Sequence, residues 1–285
     1  MRRRRFLLLV SGFPLWARQF RKDASATPAA PSVTMLSAPL ELIGDWGGSP
    51  PQAAARVLSR MREVSLSDVK LVSDQQPDSL RVDNHSSGPP AIWLHRDPPK
   101  TAWIIVDIGP ADWCKLAYQF GHKLGHVLCN SWGPAAQPRP PTQWLEEALV
   151  EAFSIRGLGL LAESWSRNPP FPGDAGFAMA IRQYRSDLIE KYRAAAPPSP
   201  DIGACFRSHC RDFTQGKGDP LVLAVVTEME ADPLCVEDLG AVNRWPARSG
   251  IAVEEYLSLW EISCAELSAS GQLPKRLRSL LLSQR

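Results

Sequence analysis

The amino-acid sequence predicts an α+β fold in which a small sheet near the N-terminus is followed by a mostly helical region. Short apolar segments bounded by Pro and Gly pairs occur between residues 79 and 109, which is typical of strands joined by turns. From Ala111 onward, apolar residues recur with the helical period instead. Strands followed by a run of helices indicate an α+β arrangement rather than alternating βα units.

The first 26 residues predict an export signal. Arg2 to Arg5 precede a short apolar run that is too short to span a bilayer and about right for a signal peptide. The arginine run also resembles a twin-arginine export signal, and Ala24 and Ala26 form an A-x-A cleavage pattern. We therefore expect a periplasmic or secreted protein without stable membrane insertion. The alternative is a cytoplasmic product that starts at Met35.

The charge balance gives no indication of a nucleic-acid partner. The formal net charge is +2, but seven basic residues lie in the first 26 positions, and the rest of the chain carries 25 basic and 29 acidic residues. A domain that binds nucleic acid usually shows a clear basic excess. We therefore expect a partner of another class.

The elements follow from composition and periodicity. Residues 27–51 are rich in Pro, Ser and Ala and are expected to be a linker with little fixed structure, so that 52–285 form the domain. A helix is predicted for PQAAARVLSRMREVS, and strands for SLRVDN, AIWLHR and TAWIIVDIG. The remaining helices are predicted over residues 112–129, 143–164, 175–195, 219–230 and 252–268.

The six cysteines are an even number, which permits disulfides in an exported protein but equally fits buried thiols. The segment CFRSHC places Cys205, His209 and Cys210 close together. No partner cluster accompanies them, so a disulfide or buried thiols are favoured over a second metal site.

Two histidines on the helix over 112–129 indicate a metal site. His122 and His126 are four residues apart, so they share one face, roughly opposite an apolar stripe that faces the core. Gly121 and Gly125 flank them, although each glycine costs a helix about 1 kcal/mol relative to alanine. Close approach of another backbone would explain this cost.

Two carboxylates on the next helix complete the pattern. Glu147 and Glu151 share one face, whereas Glu146 lies on another and is expected to point elsewhere. Two histidines and Glu147 meet the needs of a catalytic zinc ion, which takes three protein ligands and keeps one open position. Glu151 is placed to hold the other N–H of His122. The alternative is a surface histidine pair beside a solvated acidic face.

The segments FGHKLGHVL and WLEEALVEAF resemble the gluzincin clan of zinc metallopeptidases, which carry HExxH and, about twenty residues later, a ligand Glu. The resemblance covers residues 90–165, and the gap from His126 to Glu147 is 21 residues. It implies a gluzincin-like catalytic domain that binds Zn²⁺ through His122, His126 and Glu147, with Glu151 as the acidic residue supporting a ligand. It also implies a peptide or protein substrate.

Lys123 departs from the family pattern, because gluzincins have a general-base Glu at this position. An ammonium group cannot accept a proton and repels a nearby cation, so either the side chain turns away or burial makes it neutral. We expect impaired peptide hydrolysis. Three interpretations stay open: an impaired zinc peptidase, an inactive pseudopeptidase that binds peptide or protein, and a helical scaffold without metal.

The sequence does not identify the group that would stabilise an oxyanion. Tyr118, Tyr184, Tyr192 and His209 are the candidates.

Overall fold

A four-stranded sheet and a set of helices form the part of the chain that the computed structural model describes, which confirms the α+β prediction. The described residues are 34–85, 87–136, 143–195, 202–208, 219–245 and 251–282. The predicted signal peptide and residues 27–33 of the predicted linker lie outside them. So do His209 and Cys210.

The elements, in chain order, are β1 (Leu40–Gly44), α1 (Pro51–Leu66), β2 (Ser79–Asn84), β3 (Ala91–Trp93), β4 (Thr101–Val106), α2 (Trp113–Leu128), α3 (Gln143–Arg167), a 3₁₀ turn (Ala175–Phe177), α4 (Ala178–Ala195), α5 (Ile202–Ser208), α6 (Asp219–Ala231), α7 (Leu234–Glu237), a second 3₁₀ turn (Asp238–Ala241), α8 (Val253–Glu266) and α9 (Gln272–Leu282). The predicted helices are confirmed to within three residues at either end.

The sheet has the strand order β1-β2-β4-β3. β1, β2 and β4 run parallel, while β3 is antiparallel to β4 with Ile92 opposite Ile104. In β2, Leu80 and Val82 are buried and alternate with partly exposed residues, so one face of the strand packs on the core. Within the described part of the chain, β3 is an edge strand.

The prediction that residues 27–51 form a linker is wrong for the described part of this range. Leu40–Gly44 form a strand that pairs along its whole length with β2. Met35 and Ala38 are each 1% exposed, and the backbone N–H of Met35 donates to Gln76 at 2.8 Å. The Pro and Ser content led to the linker prediction, because the short apolar segment becomes a strand only by pairing with β2, about 40 residues further along the chain.

Helix α2 packs against α3 through its two glycines, as the sequence predicted. A methyl group added at Gly125 would lie 2.9 Å from Cβ of Val150, and one at Gly121 would lie 3.0 Å from Oγ of Ser154. At Gly125 the backbone Cα of Val150 would also lie only 3.1 Å away, so glycine is needed there for this separation of the two helices. α3 in turn contacts α1, α4 and α6 and buries Trp144, Phe153 and Trp165 almost completely. The helix that carries the candidate carboxylates is therefore held in the core.

None of the described helices contains a stretch both long and apolar enough to cross a membrane. Among the described residues, Cys114, Cys235 and Cys264 are free thiols, and Cys129, Cys235 and Cys264 are buried. The side chains of Cys205 and Cys210, for which a disulfide or buried thiols were predicted, lie outside those that the structure describes.

Candidate metal centre

The structure brings together the three residues that the sequence predicted as metal ligands. His122 and His126 project from α2, and Glu147 projects from the first turn of α3. One ligand atom from each lies within 4.8 Å of the others, an arrangement that can hold a metal ion. Oε2 of Glu147 is 3.2 Å from Nε2 of His122 and 3.5 Å from Nε2 of His126. The same edge of each imidazole therefore faces one carboxylate oxygen.

These separations suit a tetrahedral metal ion. Zinc–nitrogen and zinc–oxygen bonds of about 2.0–2.1 Å place neighbouring ligand atoms of a tetrahedron about 3.3–3.4 Å apart. The two measured separations lie on either side of this value. The donor set also fits, because neutral imidazole nitrogen and carboxylate oxygen are both common ligands of such ions. The side chains present can thus hold a metal with little rearrangement.

The prediction that Glu146 points elsewhere is wrong. Its Oε1 lies 2.7 Å from Nδ1 of His126, and the residue is only 3% exposed. The prediction considered the faces of α3 alone, on which Glu146 and Glu147 point in different directions. Because α2 approaches α3 so closely at Gly125 and Val150, the residue one turn before Val150 still reaches the ring of His126. The glycine before His126, which permits the close approach of α3, is the sequence feature that could have indicated the contact of Glu146 with His126.

His122 is held in the predicted way. Its Nδ1 lies 2.7 Å from Oε2 of Glu151, which is 4% exposed. The hydroxyl of Tyr118 donates to the other oxygen, Oε1, at 2.7 Å, and Tyr192 also bonds this carboxylate. A carboxylate at Nδ1 accepts the proton there, so that Nε2, which hydrogen-bonds Glu147 here, is the nitrogen that would offer its lone pair to a metal ion.

A further set of contacts that the sequence did not predict supports Glu146. Nδ2 of Asn243 donates to Oε2 of Glu146 at 2.7 Å, and the hydroxyl of Tyr256 donates to Oδ1 of Asn243 at 3.0 Å. All three residues are at most 4% exposed. Glu146 lies 97 residues before Asn243, so no local pattern could have indicated the contact.

The charged groups of the site stabilise one another. Burial disfavours ionisation of Glu147, but hydrogen bonds with His122 and His126 outweigh it and lower the pKa of this carboxyl. Burial likewise opposes protonation of His126, yet the hydrogen bonds to Glu146 and Glu147 prevail and raise its pKa to about 9. For Glu151, burial is again outweighed, by bonds from His122 and from the tyrosines, so its pKa is lowered. Three carboxylates thus surround two imidazoles, a surplus of negative charge that suits a divalent cation.

Lys123 has not turned away from the site. Together with His126 and Glu147, it lines a cleft of about 260 Å³ whose other wall includes Ala91 and Ile92 of the edge strand β3. Burial lowers the pKa of its ammonium group, while the glutamates of the site act in the opposite direction. The position that carries a general base in gluzincins is therefore occupied by a side chain next to the ligands.

The tyrosines predicted as oxyanion-stabilising candidates have other contacts. Tyr118 and Tyr192 both hydrogen-bond Glu151. Tyr184 packs on Tyr118 with ring centroids 5.9 Å apart, and burial raises its pKa to about 12. Tyr118 and Tyr192 thus support a ligand histidine through its carboxylate. The fourth candidate, His209, lies outside the described residues.

No protein-family model, curated protein or solved structure matches this chain. The resemblance to gluzincins therefore stays a prediction that rests on the motif residues of α2 and α3.

Removing a ligand should abolish stabilisation by a metal. A divalent zinc or cobalt ion at one hundred times its dissociation constant should stabilise the wild-type fold by about 2.7 kcal/mol. We expect His126→Ala and Glu147→Ala to lose this gain, as measured by chemical unfolding with and without the ion. Glu163→Ala, which removes an exposed carboxylate from the same helix, should retain it. Equal stabilisation of all three variants would contradict the assignment of the ligands.

Proposed function

We propose that this protein is a gluzincin-like zinc metallopeptidase in which peptide hydrolysis is impaired by Lys123. One observation carries the proposal. The Nδ1 atoms of His122 and His126 are each held by a buried carboxylate, while both Nε2 atoms face one oxygen of Glu147. An imidazole fixed at both nitrogens is the usual arrangement around a metal ion, and a surface pair on a solvated helix has no need of it.

Zinc is the metal that this donor set favours. Two histidines and one carboxylate leave a fourth tetrahedral position open, as in catalytic zinc sites. When bound, zinc would supply a Lewis acid that polarises a carbonyl group and lowers the pKa of water. His122, His126 and Glu147 would hold the ion, and Glu151 and Glu146 would keep the imidazoles in the metal-binding tautomer.

A peptide is the proposed substrate class because of the strand beside the site. β3 pairs only with β4 among the described strands, and its residues line the cleft together with Lys123, His126 and Glu147. An extended peptide can add to such an edge through backbone hydrogen bonds. A peptide bound there would lie along the cleft that the candidate ligands share.

Lys123 is the reason for expecting weak or absent turnover. General bases accept a proton from the attacking water and typically contribute about 10²- to 10⁴-fold to a rate. A protonated lysine cannot accept that proton, and its charge opposes a metal ion held by the neighbouring histidine. The three candidate ligands are brought together, so Lys123 is the departure from the gluzincin pattern to which the proposal assigns the defect.

The second candidate function is peptide or protein binding without hydrolysis. The same position of Lys123 favours it, because a cation in the cleft beside apolar Ile92 and Leu94 suits an anionic group on a ligand. A pseudopeptidase of this kind would retain the metal to fix the cleft. The two functions share a site and differ in whether a bond is broken.

Replacing the unusual residue tests both functions. Lys123→Glu should tighten zinc binding, because a nearby cation is removed, and should raise peptide cleavage by about 10²- to 10⁴-fold if only the base is missing. Zinc content by elemental analysis reports the first effect. Cleavage of an unstructured protein reports the second, and it should disappear with a chelator or in the Lys123→Glu, His126→Ala double variant. Lys115→Glu, about two turns nearer the N-terminus of α2, is a matched charge control and should change neither.

Two outcomes would change the proposal. Wild-type cleavage equal to that of Lys123→Glu, abolished in both by chelator, would show that Lys123 does not impair the reaction. A Lys123→Glu variant that binds zinc but stays inert would favour the binding function.

We also propose that the protein acts outside the cytoplasm, on the basis of its arginine-rich apolar N-terminal segment. The protein recovered from its native host should begin after Ala26, which mass spectrometry of the N-terminal peptide measures. An intact or Met35-initiated chain in the cytoplasmic fraction would contradict export.

A further inference from the structure

We propose that Asn243 is a positioning residue of the metal centre, acting through Glu146 on His126. The inference rests on the proposed metal site and deepens it, because it assigns a role in that site to the region of the chain that follows α7. Asn243 donates to Glu146, and Glu146 in turn holds the ring of His126, so the carboxylate connects the amide with the candidate ligand.

Two hydrogen bonds connect Asn243 with His126 through Glu146. The amide Nδ2 of Asn243 donates to Oε2 of Glu146 at 2.7 Å, and Oε1 of the same carboxylate accepts from Nδ1 of His126 at 2.7 Å. Each oxygen of Glu146 thus has its own donor. With both oxygens engaged, the carboxylate is fixed in its plane and the ring of His126 is fixed with Nε2 towards Glu147.

The acceptors around the Asn243 amide determine which of its ends faces Glu146. The hydroxyl of Tyr256 lies 3.0 Å from Oδ1 of Asn243, while Nδ2 also approaches the carbonyl oxygen of Cys129 at 3.1 Å. A reversed amide would place its oxygen against a carboxylate and a carbonyl, three acceptors without a donor between them. The acceptors therefore require the N–H₂ group on the Glu146 side.

The chain position of Asn243 is also specific. Its φ of 62° lies in the left-handed region, which asparagine tolerates better than most residues. Asn243 is 4% exposed. A buried amide needs partners for its polar atoms, and the shortest of its Nδ2 contacts goes to the carboxylate that holds His126.

Asn130 provides a matched control. It has φ 61°, it is 3% exposed, and its Nδ2 donates to the carbonyl oxygens of Gly240 and Val242. The two asparagines therefore connect the same two turns from opposite sides. The amide of Asn243 donates to Glu146, whereas that of Asn130 donates to two backbone carbonyls, so the two residues separate a role in positioning His126 from a role in holding the turns together.

The experiment compares Asn243→Asp with Asn130→Asp in the full chain, using cobalt(II) as the probe metal. Both substitutions keep the size of the side chain and its tolerance of positive φ, and both remove a buried donor. We expect Asn243→Asp to weaken cobalt binding by about 10- to 100-fold, the usual effect of losing a group that supports a ligand, and to change the visible absorption spectrum of the bound cobalt. Asn130→Asp should leave the affinity within about threefold and the spectrum unchanged.

Tyr256→Phe keeps the test decisive if the buried aspartates prevent folding. It removes a single hydroxyl and should shift the cobalt spectrum and weaken binding by roughly threefold or more, whereas Tyr184→Phe should do neither. Equal effects of Asn243→Asp and Asn130→Asp, or an unchanged cobalt site in Tyr256→Phe, would overturn the positioning role while leaving the metal site intact. Failure of the wild-type protein to bind cobalt would overturn the proposed metal site itself and the positioning role with it.

Discussion

The close contact of α2 with α3 is the constraint on which the candidate site depends. Gly125 lets the backbone of α2 approach Val150 to a distance that any Cβ would prevent. His126 follows Gly125 directly, and Glu146 and Glu147 lie one turn before Val150, so the same contact that joins the helices brings imidazole and carboxylates together. α3 is held in turn by α1, α4 and α6. The geometry of the ligands is therefore a consequence of core packing.

The charged side chains of the site have two opposite effects on a bound cation. The carboxylates of Glu146, Glu147 and Glu151 surround two imidazoles, and hydrogen bonding keeps the pKa values of Glu147 and Glu151 low despite burial. This favours a divalent cation. Lys123 adds a positive group at the edge of the same cleft, where a proton acceptor would be needed. The chain thus combines three side chains that could hold a metal ion with a lysine that lines the same cleft.

The sequence predicted the parts of the site that depend on periodicity within one helix. His122 and His126, and likewise Glu147 and Glu151, share faces because residues four apart do so in any helix. Glu146 was assigned wrongly because its contact depends on the separation of two helices. Asn243 could not be predicted, since it reaches Glu146 from 97 residues away. β1 was missed because its partner strand, and not its composition, determines that Leu40–Gly44 is a strand.

The central claim is that His122, His126 and Glu147 bind a single zinc ion. Crystals of the wild-type protein grown with zinc, measured on both sides of the zinc absorption edge, test it most directly. We expect one strong anomalous peak within about 2.0–2.2 Å of Nε2 of each histidine and of a carboxylate oxygen of Glu147. A peak elsewhere, or ordered crystals in which these three side chains contact one another without a peak, would contradict it.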